Sequence, residues 1–462
     1  RFFAEGAFNM AFVPMFSKRL EAGQDPDGFA SEAFAGLASI LIVLTLVALA
    51  AMPWLIYALA SGFAGQEQFG LSVEFGRIAF PYILFISLAA LFSGMLNAAG
   101  RFAAAAAAPV LLNVILVGLM VTAAWLGGDV ARALIWGIPV AGVAQLALVW
   151  IAVKRAGFKL TLKPPRLTPD MCRLIRVAIP AALAGGVVQV NLLVGQQVAS
   201  YFDKAVGWLY AADRLYQLPL GVVGIAVGVV LLPDLSRRLQ AQDDKGAKYG
   251  LSRAAEVALA LTIPSAVALM VIPLPLVSVL FQRGAATADD AAAIAVAVAI
   301  YGLGLPAFVL QKVVQPVFFA REDTRRPFHY AVVSMIVNAG LAVGLAPVIG
   351  WIAPAIATSV AAWAMVFLLW AGSRRYGDVV RFDDRFRRRI WRMILASALM
   401  GLCLWIAYAA LNPFLGLPWW RALALVALVG VGVVSYFGIG QLFGAFQLSE
   451  FRNALRRSGP KS

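Results

Sequence analysis

The chain has 462 residues, of which 62% are hydrophobic and only 13% charged, with a net charge of +15. A soluble domain carries about 25% charged residues, and no soluble core can hide this much apolar surface, so the solvent for most of the chain is lipid. Two cysteines, Cys172 and Cys403, exclude a disulfide scaffold or a thiolate metal site, and one histidine, His329, leaves almost no material for His-based chemistry.

One partial and twelve full apolar segments follow one another along the chain. They lie near 1–20 (partial), 30–59, 75–97, 104–126, 133–153, 174–200, 206–232, 254–281, 291–320, 328–348, 352–371, 393–411 and 420–444. Each full segment is long enough to cross a hydrocarbon core of about 30 Å as helix. Ala-, Leu- and Val-rich composition without period-2 alternation predicts helices rather than a barrel. There is no P-loop or glycine-rich phosphate cradle, and the loops are too short for a soluble catalytic domain. The chain therefore reads as a non-enzyme that needs no cofactor.

Charge sets the topology. The alternate connections after residues 20, 97, 153, 232, 320, 371 and 444 hold thirty of the 38 basic residues, and the opposite connections hold only Arg132, Lys204, Arg283 and Arg421. The positive-inside rule places the first set, and the C-terminus, in the cytoplasm. The basic excess is then an orientation signal whose partner is anionic phospholipid, which argues against nucleic acid. Four basic residues are left over, Arg1, Arg77, Arg214 and Lys312, and all lie in or near apolar segments.

The sequence also repeats. Phe12-Val-Pro-Met-Phe-Ser-Lys-Arg-Leu20 aligns with Leu231-Leu-Pro-Asp-Leu-Ser-Arg-Arg-Leu239, an offset of 219 residues. Pro81, Arg101 and Asn113 align with Pro306, Arg326 and Asn338 at an offset of 225. Both copies of the Pro-Ser-basic-basic motif fall on the same predicted side, so the halves are parallel, related by a pseudo-two-fold axis along the membrane normal. The expected fold is an all-α polytopic membrane protein of two six-helix lobes plus two C-terminal helices. The lobes are 1–153 and 174–371, joined by a cytoplasmic linker, 154–173; a basic linker, 372–392, leads to the helix pair and tail, 393–462. Segment 174–200 has no counterpart in the first half. The repeat therefore predicts about 45–50 residues, with one helix and the start of another, ahead of Arg1.

The candidate functional residues are those whose charge is costly in lipid. Arg214 lies in Trp208-Leu-Tyr-Ala-Ala-Asp-Arg-Leu-Tyr-Gln-Leu-Pro219, followed by an uncharged run to Leu232. A guanidinium cannot shed its proton, and a charge at the centre of a span costs about 2.5–3.5 kcal/mol or more unless paired or wetted. One reading is a cavity arginine that grips a phosphate or carboxylate. The other is an internal salt bridge with Asp213 or Asp203, or snorkelling to the interface. Lys312, between Gln311 and Gln315, either joins a cationic cavity or pairs with an acid. Arg77 has Glu74 at i−3, good spacing for a helical ion pair. Arg1 and Glu5 are four apart on one helical face, and Glu5 is out of place in an apolar stretch for the same reason as Arg214.

Several stretches resemble the MurJ/MviN family, bacterial lipid II flippases of the multidrug/oligosaccharidyl-lipid/polysaccharide exporter superfamily. They are Phe3-Ala-Glu-Gly-Ala-Phe8 with Ala11-Phe-Val-Pro14, Phe80-Pro-Tyr-Ile-Leu84 with Ile86-Ser-Leu88, Leu96-Asn97 with Arg101-Phe102, and Pro109 with Leu112-Asn113. Further on come Ala212-Asp-Arg-Leu215 with Pro219-Leu-Gly-Val222, Leu231-Leu-Pro233, Pro264-Ser-Ala-Val-Ala-Leu269 and Leu280-Phe-Gln282. The resemblance implies transport of the undecaprenyl-pyrophosphate-linked peptidoglycan precursor, lipid II, from the inner to the outer leaflet of the cytoplasmic membrane by alternating access. It implies that Arg214 contacts the pyrophosphate, with Asp213 beside it, and that Arg1, Glu5, Lys312 and Arg77 are further substrate-site positions. It makes Arg1 the second of an arginine pair, with other cavity arginines upstream. It implies that 393–411 and 420–444 line a groove for the lipid tail, and that cell-wall synthesis and division proteins are candidate partners. Gln217 departs from the acidic residue expected there in some members. Two other readings stand beside this one. A cation-coupled drug or polysaccharide exporter would carry a cavity rich in carboxylates and aromatics; a non-transporting scaffold for cell-wall synthesis would have no open cavity.

Overall fold

The structure is a computed structural model. It describes the backbone of residues 7–446, apart from 162, 163, 167, 242, 322 and 418, and their side chains except those of 7–11, 177–191, 222–234, 236, 240 and 378–380. Among the described residues every regular element is helical, and nine stretches are long and apolar enough to cross a membrane. The chain is therefore an all-α polytopic membrane protein. Its contacts divide it into two compact units, Arg1–Leu193 and Val194–Ser462, with the division falling inside the helix Pro169–Ala199.

The first unit contains α1 (Ala7–Ala22), α2 (Pro26–Ala50), α3 (Met52–Leu59), α4 (Glu67–Ala79), α5 (Tyr82–Ala98), α6 (Ala103–Trp125), α7 (Val130–Arg155) and most of α8 (Pro169–Ala199). The second contains α9 (Ala205–Gln240), α10 (Asp244–Val271), α11 (Pro273–Phe281), α12 (Ala288–Phe319), α13 (Arg325–Ile349), α14 (Ala353–Ser373), α15 (Asp384–Leu415) and α16 (Arg421–Leu442). Three predicted spans are broken at proline. Segment 30–59 divides before Pro53, 75–97 at Pro81, and 254–281 before Pro273, because proline offers no N–H and its ring clashes with the preceding turn. Segment 206–232 instead runs on to Gln240. Arg237 and Arg238 stand in its last turn, where cations complement the helix dipole.

The internal repeat reappears as a repeated order of local structures. α1 ends with basic Arg19 in its last turn, and Asp25 then caps α2 by accepting from the Gly28 N–H at 2.9 Å. α9 ends with Arg237 and Arg238, and Asp243 caps α10 through the Gly246 N–H at 2.8 Å. Each capped helix then breaks into a short helix, α3 or α11, that begins at or next to a proline. Phe16 and Leu235, aligned by the repeat, are both fully buried. Asn113 and Asn338 are not equivalent, since Asn113 is exposed and Asn338 buried.

The core of the first unit is aromatic. Phe12 stacks on Phe16 and Phe29 at 5.4 and 5.6 Å, and Phe92 packs against Phe34 and Trp150. Buried Gln145 on α7 ties three helices together. Its amide donates to the Ala108 carbonyl at 2.8 Å and its oxygen accepts from the Tyr82 hydroxyl at 3.1 Å. Hydrocarbon offers such groups no alternative partner, so they act between helices. The second unit is organised around α12, which packs against α9, α10, α11 and α14 and is buried from Ala291 to Phe318 along much of its length. α14 approaches it closely at Gly304, where a Cβ would lie 3.1 Å from the Ser359 Cα. The Ser359 hydroxyl there donates to the Ile300 carbonyl at 2.8 Å.

The C-terminal pair α15–α16 packs on α10 and α11. Two polar devices hold it. The Asp383 carboxylate caps α15 by accepting from the Phe386 N–H at 2.7 Å and also receives Arg253 of α10 at 2.6 and 2.8 Å. One turn on, buried Glu256 accepts from Arg253 and Arg389, with Arg385 at 3.5 Å. Removing the acid from a buried ion network leaves uncompensated charge, at a cost of about 3–5 kcal/mol. Glu256→Ala is therefore expected to lower the thermal unfolding midpoint in detergent by several degrees or more. A midpoint equal to the unsubstituted protein's would show that the network holds nothing.

Asp323, in the connection between α12 and α13, is held in the same way. Its carboxylate accepts from the Tyr376 hydroxyl at 2.7 Å and from the Arg326 guanidinium at 2.5 Å. The Tyr376 hydrogen bond, ahead of the Arg326 contacts, keeps its pKa below the usual carboxylate value. A depressed carboxylate pKa stabilises the fold at pH values above the unfolded pKa of about 3.9, and that contribution is lost as pH falls through the folded pKa. Asp323→Asn should accordingly cost stability at neutral pH and flatten the decline below about pH 4. Thermal unfolding of both proteins as a function of pH checks this.

Candidate functional site

α9 carries the leading candidate. Lys204, in a left-handed conformation at φ 57, reaches Asp290 at 3.4 Å, and the Trp208 indole N–H donates to the same carboxylate at 3.0 Å. Asp290 meanwhile forms a capping box with Thr287 at the start of α12. One carboxylate thus begins α12 and fastens the N-terminal end of α9 to it. Farther along, Leu209, Ala212, Leu215 and Tyr216 bury the inner face of α9. Tyr216 packs on Tyr301 and Phe308 at 5.0 and 5.5 Å.

The other face of α9 is polar and open. Tyr210, Arg214 and Leu218 are exposed, at successive i+4 spacings. The Arg214 guanidinium lies 4.6 Å above the Tyr210 ring and donates to its hydroxyl at 2.5 Å. A cation over an aromatic face keeps its full charge while gaining about 0.5–2 kcal/mol. Neither Asp213 nor Asp203 forms an ion pair with Arg214 among the described residues. The Asp213 carboxylate instead accepts from the Gln217 amide. Asp213 also has Tyr216 as a hydrogen-bonding partner, and Arg214 has no carboxylate partner among the described residues.

Lys312 is exposed on α12 and makes no ion pair or hydrogen bond among the described residues, so the acid pairing considered for it does not occur. It is not close to Arg214. Tyr216 sets the register between Tyr301 and Phe308, and Lys312 lies one turn past Phe308, which separates it from Arg214 by roughly 15 Å along the helix axes. Arg77, in the first unit, also differs from expectation. It forms no pair with Glu74 among the described residues; its Nε donates to the Leu49 carbonyl at 3.2 Å. Leu49 is four residues before Pro53, which has no N–H to return. Arg77 thus caps a carbonyl that proline leaves free at the end of α2. Arg1 and Glu5 lie outside the described residues. Tyr210, the residue closest to Arg214, was missed from the sequence; its signal was an aromatic ring one helical turn before an arginine in an apolar run.

A second feature lies beside the C-terminal pair. A cavity of about 270 Å³ is bounded by α10, α11, α15 and α16, with Pro264, Ala268, Leu276, Leu404, Val433 and Phe437 among its walls. The one hydroxyl of Ser265 in its lining is turned back to the Leu261 carbonyl at 2.8 Å. Tyr436, also in the wall, donates to the Ala260 carbonyl at 2.6 Å. The lining is therefore apolar and its polar groups are already satisfied.

A polytopic helical protein with an exposed guanidinium on one span and an apolar cavity beside its last two helices has the parts of a membrane transporter for an amphipathic anion. The family profile described as "Lipid II flippase MurJ" matches residues 1–417. The chain is 42% identical to the probable lipid II flippase MurJ of Rhizobium tropici, over 100% of this chain and 88% of that protein. It is 34% identical to the lipid II flippase MurJ of Burkholderia cenocepacia, over 88% of this chain and 80% of that protein. The chain belongs to the MurJ family. Its fold matches a solved lipid II flippase MurJ in an inward closed conformation, with a TM-score of 0.79 at 24% identity over 96% of this chain and 88% of that one. It also matches an inward-facing MATE multidrug transporter of the MOP superfamily, with a TM-score of 0.71 at 15% identity over 81% of this chain and 86% of that one.

One guanidinium N–H of Arg77 is committed to a backbone carbonyl. Arg77→Ala should cost about 1 kcal/mol of stability and leave lipid II transport intact. Loss of transport in the folded variant would return Arg77 to the substrate site.

Proposed function

We propose that this chain carries lipid II from the inner to the outer leaflet of the bacterial cytoplasmic membrane by alternating access, with Arg214 gripping the pyrophosphate. A pyrophosphate and its sugar-peptide head cannot cross hydrocarbon unaided, whereas the isoprenoid tail can stay in it. Membership of the MurJ family supports the substrate. The single observation that supports the role of Arg214 is its guanidinium, exposed and without a carboxylate partner among the described residues. Tyr210 holds it in place through one Nη2 hydrogen bond, and the remaining guanidinium N–H groups suit phosphate oxygens.

In this reading Asp213 and Gln217 tune the site, and Lys312 is a second cationic contact farther along the path. Arg1 and Glu5, outside the described residues, are further substrate-binding candidates in this reading. The apolar cavity between α10 and α15–α16 takes the tail, whose chemistry its lining suits. The two lobes comprise 1–153 and 174–371, with 154–173 and 372–392 as cytoplasmic linkers and 393–462 as the helix pair and tail. Orientation follows from the thirty basic residues on alternate connections, which place those connections and the C-terminus in the cytoplasm.

A leaflet-accessibility assay for lipid II, in cells depleted of the native protein and complemented with variants, tests this. Arg214→Ala should insert and fold normally yet abolish flipping, and Arg214→Lys should retain part of it. Unsubstituted rates for Arg214→Ala would sink the assignment.

A further inference from the structure

The exposed stripe of α9 runs through Gly207, Tyr210, Arg214, Leu218 and Gly221, at spacings of three and four residues that keep all five on one face. A Cβ at Gly207 or Gly221 would meet nothing within 4 Å among the described residues, so no described side chain packs over either end of the stripe. Tyr210 and Arg214 supply its polar groups, and Tyr210 is 59% exposed. A permanent charge is costly against acyl chains, so this face opens on water or on an anion.

The hydroxyl of Tyr210 is used differently from those of other tyrosines in the fold. A phenol carries one O–H donor and also accepts through its oxygen. Tyr376 and Tyr436 commit the donor within the protein, to the Asp323 carboxylate at 2.7 Å and the Ala260 carbonyl at 2.6 Å. Tyr210 does the reverse. Its oxygen accepts from the Arg214 Nη2 at 2.5 Å, and its proton meets no acceptor among the described residues. Asp213, the acid nearest in sequence, is engaged by Gln217 and Tyr216. The preceding helix, α8, carries no acid beyond Asp170. Accepting a hydrogen bond from a cation polarises the phenol and strengthens it as a donor. An O–H given to an anionic oxygen makes a short, charge-assisted bond.

We propose that Tyr210 is a second ligand of the pyrophosphate: its hydroxyl donates to one phosphate oxygen while the guanidinium N–H groups of Arg214 hold others. This rests on Arg214 being the pyrophosphate contact and adds a neutral, directional donor to the same site. Tyr210 then touches the substrate itself, besides orienting the arginine.

Binding of undecaprenyl pyrophosphate to the full chain in detergent micelles, titrated by native mass spectrometry, tests it together with the thermal unfolding midpoint. Tyr210→Phe keeps the ring under Arg214 and removes only the hydroxyl. It should leave the midpoint unchanged and weaken binding about tenfold, as expected for one hydrogen bond to a charged group. A hydroxyl that merely orients the guanidinium would matter only while the guanidinium is there. Arg214→Lys keeps a cation without the fork, and Tyr210→Phe made in that background should still cost about tenfold. No further loss in that background overturns the direct contact. Tyr249→Phe removes an exposed hydroxyl from the ring beside Arg253 on α10 and should change nothing. If Arg214→Ala binds undecaprenyl pyrophosphate as tightly as the unsubstituted chain, the assignment of Arg214 falls and the role of Tyr210 falls with it. If Arg214→Ala loses binding while Tyr210→Phe keeps it, only the role of Tyr210 is overturned.

Discussion

Hydrocarbon cannot solvate a carbonyl, an amide or a guanidinium, and this constraint runs through the structure. It acts most visibly where proline interrupts a span. Pro53 removes the donor that the Leu49 carbonyl would have used, and Arg77 takes its place from α4. Pro264 does the same to Ala260, whose carbonyl accepts from the Tyr436 hydroxyl of α16 at 2.6 Å. Proline therefore bends these helices and also creates the acceptors on which other helices dock. The C-terminal pair is fixed to α10 through one such acceptor inside the membrane and through the Asp383 and Glu256 ion network at the end of the span.

Arg214 stands apart from this pattern. Gln145, Asp290, Glu256 and Arg77 are each turned to a partner on another helix. Arg214 is turned to a tyrosine on its own helix, which orients the charge without neutralising it. The adjacent acid, Asp213, is engaged by Gln217 and Tyr216. The arrangement is stable in a water-filled space and costly in lipid, and it suits an anion that visits and leaves. Beside the C-terminal pair, the apolar cavity offers the opposite environment. A flippase must hold an anionic head and an isoprenoid tail at once, and these two environments suit the two parts.

Much of this was legible in the sequence. Apolar runs of some twenty residues announce membrane helices because hydrocarbon thickness sets their length. The Pro-Ser-basic-basic repeat announces two copies of one local order, which the structure extends to the Asp25 and Asp243 caps; the breaks at Pro53, Pro81 and Pro273 were not legible, because Pro109, Pro139 and Pro306 lie inside unbroken helices. Arg214 could be singled out because a permanent charge inside an apolar run is costly in lipid. Its tyrosine partner was missed, since Tyr210 reads equally well as an interfacial aromatic. Arg77 was misread as the partner of Glu74 because an i−3 pair is visible in sequence and a carbonyl on another helix is not.

The sequence by itself determined the solvent, the helices, their order and the carbonyls that proline would leave bare, because each depends on composition or on neighbours within one or two turns. Only the tertiary structure decided which donor answers each bare carbonyl, which arginines Glu256 engages, and that Lys312 lies apart from Arg214. Those outcomes depend on groups brought together by packing, such as Tyr436 and Ala260, which are 176 residues apart in the chain. No local pattern of residues encodes that distance.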